Sequence, residues 1–333
     1  MFGQFLMSQW KQWDATLQDW DGALQNFADQ TIYQSSSWAN HQSQFGWDAI
    51  RVACTYEDTV ETLAQVLIRR APLGVVVAWC PGGPIGNTQH LNNQFAECIK
   101  GISGARFLYL RVGLMTPMTP SSDLRKLGWH QCKKSLGAKE TLVYDLSAPE
   151  PARREECSAN WKRNLRRSEQ RSHRPYVWNS PSPEDIASAI GLMDEYKNLD
   201  PAHSLSLERI ESLVINLGSS LVFVRMDDEN GQALSIRAAC YSQELAWDTV
   251  AVTTPAGRKE YSSYEVFWKL CQELHNRGVA RLDLSGIDPV NNVGVYNFKK
   301  GTGAAAVTYL GEWECSRPTI IRNVASTVIS RRS

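Results

Sequence analysis

The stretch LVFVRMDDENGQALSIRAACYSQELAWDTVAVTTPAGRKEYSSYEVFWKLCQELHNRGVARLDLSG, residues 221–286, decides the fold. It reads as three successive strands, 221–226, 233–241 and 244–253, followed by a helix over 262–277 and a strand over 280–285. The first turn carries Asp228-Glu229-Asn230-Gly231, a hairpin signal because Asn and Gly accept the positive φ of a tight turn. Upstream lie helices over 151–172, 183–198 and 206–217 and a short strand over 176–179. Downstream come a helix over 290–300 and a strand over 304–314. Together they make one α/β unit with a mixed sheet.

The first half of the chain reads as a second unit of the same class. Strand 49–55, helix 59–69 and the apolar strand 74–79 lead into Pro81-Gly82-Gly83-Pro84-Ile85-Gly86, a loop whose backbone N–H groups can point at a ligand. Helix 88–103, strand 106–111, a Pro/Ser-rich loop over 116–122, helix 121–128 and strand 140–146 follow. Pro149 and Pro151 mark the seam. The expected domains are therefore 31–147 and 148–316, with a last helix over 317–333 folding back on the first. Residues 1–30 read as a separate amphipathic helix, because Leu6, Trp10, Trp13, Leu17, Trp20, Leu24 and Phe27 form one apolar seam. The body of the protein covers that seam, or a second copy does in a homo-oligomer. Membrane docking fits less well, since residues 1–30 hold one Lys and four Asp.

Composition narrows the function classes. The chain has 333 residues, 43% hydrophobic and 21% charged, with 35 basic and 35 acidic side chains. No global field recruits DNA or an anionic membrane. The longest apolar run, Val75 to Cys80, is far short of the roughly 20 residues of a membrane span. The eight Cys, at 54, 80, 98, 132, 157, 240, 271 and 315, lack metal-ligand spacing, and no secretory signal opens the sequence. Reduced, buried thiols in a cytoplasmic protein are expected, the inner face of the membrane included. The six His show no metal spacing either, and no nucleophile signature such as G-x-S-x-G occurs.

Two segments carry candidate chemistry. Between Arg153 and Arg174 eight basic residues face three acidic ones. On a helix, Lys162, Arg163, Arg166 and Arg167 spread over an arc that can grip phosphates, while Trp161 and Leu165 anchor it. A solvated helix face is the alternative. The other segment is Arg281 to Gly303, RLDLSGIDPVNNVGVYNFKKGTG. Lys299, between Phe298 and two glycines, can put its ammonium in the cleft where the units meet and stabilise an oxyanion formed when an amine attacks an ester. Taken alone, the segment fits a plain surface lysine at least as well.

The element order resembles that of acyl-CoA N-acyltransferases, the GNAT-like arrangement. In ordinary members a Gly-rich turn holds the CoA pyrophosphate at a helix N-terminus. Here that turn reads Arg258-Lys259-Glu260-Tyr261-Ser262-Ser263-Tyr264, whose side chains obstruct a phosphate. Gln34-x-x-x-Trp38, the Gly83-Pro84 loop, TLVYDLS at 141–147, NWKRNLRRSEQR at 160–171, RLDLSGI at 281–287, NFKKGTG at 297–303 and YLGEWE at 309–314 together resemble the Fem family of peptidoglycan-bridge aminoacyltransferases. The resemblance implies two GNAT-like domains in tandem and transfer of an amino acid from aminoacyl-tRNA to an amine of a small peptide or cell-wall precursor, without a cofactor. Carried over, Phe298 and Lys299 meet the acyl-transfer centre, and Lys162, Arg163, Arg166 and Arg167 contact phosphates. Candidate substrate contacts are Gln34, Trp38, Gly83, Pro84, Tyr241, Asp283, Gly286 and Tyr296.

Departures from the pattern concern the acceptor. Gln42 stands about where members acting on the nucleotide-linked precursor have a lysine, and Asp200 to Ser204 offer no arginine. The coiled-coil arm, a long helical-hairpin insertion, is absent. An acyl-CoA- or carrier-dependent N-acyltransferase and a non-catalytic double-GNAT binding module are the alternatives.

Overall fold

The computed structural model describes residues 8–118, 123–194 and 207–322. They group into two compact units, one holding the chain up to Lys139 together with Thr308 onward, the other Glu140–Val307. In the first unit the order is β1 (Gln9–Gln12), α1 (Leu17–Leu24), α2 (Ser36–Ser43), β2 (Asp48–Tyr56), β3 (Thr59–Ala71), β4 (Val75–Pro81), β5 (Ile85–Gly86), α3 (Asn93–Ser103), β6 (Phe107–Pro117) and β7 (His130–Gln131). In the second it is β8 (Glu140–Asp145), α4 (Glu150–Glu156), α5 (Ala159–Glu169), β9 (Tyr176–Val177), α6 (Pro183–Asp194), α7 (Leu207–Leu217), β10 (Leu221–Asp227), β11 (Ala233–Ser242), β12 (Leu245–Thr253), α8 (Pro255–Lys259), α9 (Ser262–Asn276), β13 (Arg281–Asp283) and α10 (Val293–Gly301). The last strand, β14 (Ala305–Arg317), counts with the first unit from Thr308 on.

The first unit's sheet runs β1-β2-β3-β4-β6-β14, antiparallel except for the parallel β4/β6 pair. The second runs β8-β13-β12-β11-β10-β9, antiparallel except for β12/β13. TLVYDLS therefore belongs to the second unit. Leu142, Tyr144 and Leu146 join its core with Trp161, Phe267 and Leu282.

Three expectations give way. Residues 59–69 are not a helix but most of β3, with Leu63 to Ile68 all buried. A run buried without a break, apolar but for Gln65, suits a strand covered on both faces, whereas a helix needs an apolar stripe. Tyr56 pairs with Thr59 across Glu57 and Asp58, both at positive φ (47° and 64°), a two-residue turn that twists with its strands.

The N-terminal segment is not one helix. Residues 9–12 are strand β1 on the edge of β2, and α1 starts at a capping box formed by Thr16 and Asp19. Trp10 donates to the His90 carbonyl, and Trp20 to the Gln34 carbonyl, each at 2.8 Å. Trp20 and Leu24 are buried against Ala53, Leu63 and Ile85. The first unit consumes most of that seam, leaving Leu17 exposed. Leu6 lies outside the described residues.

The helix expected over 151–172 is two helices. Ser158 breaks it, accepting from the Trp161 N–H at 3.3 Å while its own N–H donates to the Gly301 carbonyl at 2.8 Å. Of the helix expected over 317–333, a single 3₁₀ turn, Thr319–Ile321, is described, and 323–333 lie outside the described residues. All eight cysteines are free thiols. Among the described residues no helix is long and apolar enough to cross a membrane.

The β2–β3 turn is testable. Both central residues hold a left-handed backbone that disfavours a Cβ, so replacing Glu57-Asp58 by Asn-Gly should stabilise the protein by about 1 kcal/mol. Urea denaturation reads this, and an unchanged or lower midpoint would overturn the turn assignment.

Candidate functional site

The second unit contains a cavity of about 400 Å³. The strand β11 lines it with Ser235, Ile236 and Arg237, and β12 with Ala251, Val252 and Thr253. Arg258, Tyr261, Ser263 and Tyr264 close one side and Gly294, Val295, Phe298 and Lys299 another, while α5 contributes Asn164.

Lys299 is buried, 8% exposed, on the last turn of α10. Its Nζ donates to the carbonyls of Ser285 (2.5 Å) and Gly286 (2.8 Å), which leaves one N–H uncommitted among the described residues. Those carbonyls are aimed by a strained residue, Ser285, at φ 57°. The Ser285 N–H donates to Asp283 Oδ1 at 2.8 Å, and its Oγ donates to the Asp248 carbonyl at 2.6 Å. Burial pushes the Lys299 ammonium below the usual lysine range; Asp248 pulls it back up, Arg237 pushes it down and Asp283 raises it.

Phe298 is half-buried in an aromatic wall, its ring centroid 5.1 Å from Tyr264, 5.8 Å from Phe267 and 5.9 Å from Trp161. The glycines after Lys299 are required by packing. A Cβ on Gly301 would stand 2.9 Å from Trp161 Cδ1, and Gly303 has φ +88° with the Glu156 carbonyl 2.9 Å from where its Cβ would be.

Sequence reasoning missed two residues here. Arg237 and Asp248, both buried, form a bidentate pair, Nε to Oδ1 at 3.0 Å and Nη2 to Oδ2 at 2.6 Å. The guanidinium lies 4.8 Å from the Phe267 ring centre and 5.3 Å from that of Phe298. The signal was present: one Arg in SIRAAC and one Asp in LAWDTV interrupt otherwise buried strands, where a charge persists only if paired.

The basic helix is only partly aimed at this site. Trp161 and Leu165 anchor it as expected. Lys162 is turned to Glu155, donating to its carbonyl at 3.0 Å, and Arg163 donates to Asn160. Arg166 is exposed with no partner among the described residues. Arg167 lies over the Tyr261 ring at 5.2 Å and donates to its hydroxyl at 3.0 Å, so this one arginine stands at the cavity wall. Exposed Arg258 lines the cavity with no hydrogen-bond or ion-pair partner among the described residues.

The remaining candidates divide. Asp283 accepts from Thr141 Oγ1 and from Ser285, and Gly286 supplies a Lys299 acceptor, so both support the lysine from behind. Tyr296 shares α10 but carries Lys300 over its ring at 5.7 Å instead of lining the cavity. Tyr241 sits toward the other end of β11, donating to the Ser219 carbonyl at 3.1 Å, and does not line this cavity.

Gln34, Trp38, Gly83 and Pro84 belong to the first unit. The Gln34 amide is fully used there: Nε2 donates to the carbonyls of Pro81 (2.7 Å) and Gln65 (3.2 Å), and Oε1 accepts from the Gln65 N–H (2.7 Å). It clamps the 81–84 turn, and a Cβ on Gly83 would strike its amide at 2.5 Å. Trp38 packs 4.8 Å from Tyr33 and 5.2 Å from His41, its indole N–H buried without a partner. In the same loop the Gly86 N–H is taken by Asp29 at 3.1 Å rather than offered to a ligand. Gln42 is buried, and residues 200–204 lie outside the described residues.

No family model matches the chain, and no curated protein does. Solved structures do. The crystal structure of FemX superposes with a TM-score of 0.80 at 13% identity, covering 91% of this chain and 96% of that one. A tandem GNAT protein from the clavulanic acid biosynthesis pathway gives 0.57 at 10% identity over 93% and 98%. L-PGS from Bacillus licheniformis gives 0.53 at 12% identity over 89% and 90%. The chain has the Fem-type fold of two GNAT-like domains.

Gly301 tests the packing behind the lysine. Gly301→Ala forces its methyl onto Trp161, and overpacking of this kind costs about 1–3 kcal/mol. A melting temperature unchanged from wild type would show that Trp161 is not tightly packed there.

Proposed function

We propose that the protein is an acyltransferase that moves an amino acid from aminoacyl-tRNA to an amine of a small peptide or cell-wall precursor, with the cavity of the second unit as the acyl-transfer centre. The observation that carries this reading is Lys299, buried against the cavity with two N–H groups engaged by the Ser285 and Gly286 carbonyls and a third uncommitted. The match of Phe298-Lys299 to the family motif and the superposition on FemX over 91% of this chain support it.

The chemistry asks little of acid–base groups, because the aminoacyl ester is already activated. The neutral acceptor amine attacks the ester carbonyl carbon, the carbonyl oxygen gains negative charge, and the C–O bond to the ribose breaks as the amide forms, the proton lost by the nitrogen ending on the ribose oxygen. A fixed ammonium hydrogen-bonded to that oxygen acts mostly in the transition state. Two main-chain carbonyls hold Nζ in place, so little reorganisation is needed when charge develops. Phe298 and Tyr264, which line the cavity, shield the oxygen from water.

Donor choice follows from the turn between β12 and α9. Thr254 caps the short α8, and Arg258, Tyr261, Ser263 and Tyr264 project toward the cavity where a CoA pyrophosphate would need bare backbone. An RNA end suits the same surface better, since Tyr261 and Tyr264 offer stacking faces and Arg167 and Arg258 offer cations.

Incubation with a charged total tRNA pool tests the assignment, scoring which aminoacyl ester is discharged and onto which amine. Lys299→Met should lower kcat by on the order of 10²–10³ with KM little changed. Lys300→Met should be nearly silent, because that side chain lies over Tyr296. Near-full turnover by Lys299→Met, or equal loss in both variants, would refute the oxyanion role.

The basic helix gives a second test. Arg166→Ala with Arg167→Ala should reduce the salt dependence of tRNA binding by roughly 0.7–0.9 in log–log slope for each phosphate no longer neutralised. Lys162→Ala should leave the slope unchanged, since Lys162 is engaged with Glu155. Equal slopes for all three proteins would return this face to plain solvent.

A further inference from the structure

The Arg237–Asp248 pair stands directly behind Phe298 and Lys299, and two separate connections lead from it to them. The first runs through the side chains: Asp248 grips Arg237 at 3.0 and 2.6 Å, and the guanidinium lies 5.3 Å from the Phe298 ring centre. The second runs through the main chain: the Asp248 carbonyl accepts from Ser285 Oγ at 2.6 Å, and the Ser285 carbonyl accepts from Lys299 Nζ at 2.5 Å. One residue of β12 is thus tied to both members of the pair on α10. The Arg237 side also lies on the cavity itself, as part of its lining.

Electrostatics gives the arrangement a reason. Arg237 and Lys299 are two buried cations lining one cavity, and two like charges brought together there favour loss of a proton from one of them. Lys299 is the one able to lose its proton, since a guanidinium does not. Asp248, paired with Arg237 and attracting Lys299, offsets part of that conflict. The charged groups that act on Lys299 are Asp248 on β12, Arg237 on β11 and Asp283 on β13. The other ionisable side chains lining the cavity are Arg258, Tyr261 and Tyr264. Burial pushes the Asp248 carboxyl up and Arg237 opposes it, and the bidentate geometry is that of an ionised pair.

We propose that Arg237 and Asp248 are the positioning residues of this site: Asp248 fixes Arg237 against Phe298 and, through Ser285, fixes the carbonyl that receives Lys299, so that the ammonium is held both in place and charged. The pair does not itself need to touch the reacting atoms. The proposal rests on the acyl-transfer reading for its purpose, but its physical content belongs to the folded protein alone.

Competitive labelling of the whole protein with acetic anhydride across pH, with Lys299 and Lys300 separated by fragment mass spectrometry, measures that content without any substrate. For each lysine it yields a titration midpoint, which reports charge, and a limiting rate, which reports how firmly the amine is held. Asp248→Asn removes the anion that raises the Lys299 pKa and leaves the Arg237 cation. The Lys299 midpoint should therefore fall by about one pH unit or more. The midpoint of Lys300, exposed and over Tyr296, should stay in place. A folded Asp248→Asn protein with an unmoved Lys299 midpoint overturns the proposal.

Removing one partner of a buried pair can also unfold the chain. The double variant Arg237→Met with Asp248→Leu removes both charges and keeps the volume apolar, and there the limiting rate at Lys299 should rise several-fold as neighbouring Phe298 loses its support. A wild-type limiting rate in the folded double variant likewise overturns the proposal. In the charged-tRNA assay the same double variant should lose about tenfold in kcat with little change in KM, the mark of a group acting on geometry in the transition state. If the labelling changes appear but the wild-type protein discharges no aminoacyl ester, the acyl-transfer reading fails while the positioning pair stands.

Discussion

The second unit is organised around Trp161. Its ring is almost wholly buried and meets four others, Tyr264 at 5.2 Å, Phe267 and Trp268 at 5.8 Å and Phe298 at 5.9 Å between centroids. Those partners lie on α9 and α10, so one side chain of α5 joins three helices. The indole N–H is buried without a hydrogen-bond partner, a cost a plain hydrocarbon would avoid, so the ring is there for its area and shape. Gly301 permits the close approach by lacking a Cβ. Because Gly301 is two residues beyond Lys299, the packing of the core also fixes the helical turn carrying the lysine.

Among these packed rings stand the buried charges. Lys299, Arg237, Asp248 and Asp283 are all nearly inaccessible, and removing such groups from water is costly unless hydrogen bonds replace the lost solvation. The replacements are specific: two carbonyls for Lys299, a bidentate carboxylate for Arg237, and the Ser285 N–H and Thr141 hydroxyl for Asp283. Apolar residues of equal volume would serve stability as well or better. The arrangement makes sense where a fixed positive charge beside a cavity has a use, which ties the energetics to the proposed chemistry.

How far this was legible in the sequence depended on whether the signal was local. The strands, hairpin and helix over 221–286 were readable because each has its own turn or periodicity. The Phe-Lys-Lys-Gly-Thr-Gly run was readable because the glycines closely follow the lysine. β3 misled because a mostly apolar stretch of that length fits either a strand or a buried helix, and the deciding turn uses Glu and Asp at positive φ in place of Asn and Gly. The N-terminal seam misled because tryptophans spaced like a helix are divided between a strand and a short helix of one unit. Arg237 and Asp248 sit eleven residues apart on neighbouring strands, joined across a register shift between Ala238 and Ala239. No spacing rule anticipates that pairing. What remained available was the oddity of a charge in each of two apolar strands.

A comparison within the molecule shows what distinguishes that pair from ordinary stapling. The first unit also places an arginine and a carboxylate on adjacent buried strands, Arg111 of β6 and Glu312 of β14, with Nε to Oε2 at 2.6 Å. There the segment after β7 closes over the pair: Arg111 donates to the Lys134 carbonyl, and the N–H groups of Leu136 and Gly137 donate to Glu312 at 3.0 and 2.7 Å. Every oxygen of that carboxylate is engaged, and the result is a pinned loop. Arg237 and Asp248 have a different setting. Phe267 and Phe298 face the guanidinium, and Arg237 forms part of a cavity wall beside Lys299. The same electrostatic device thus closes a surface in one unit and lines an opening in the other, and it is the opening that makes the second unit the place to look for chemistry.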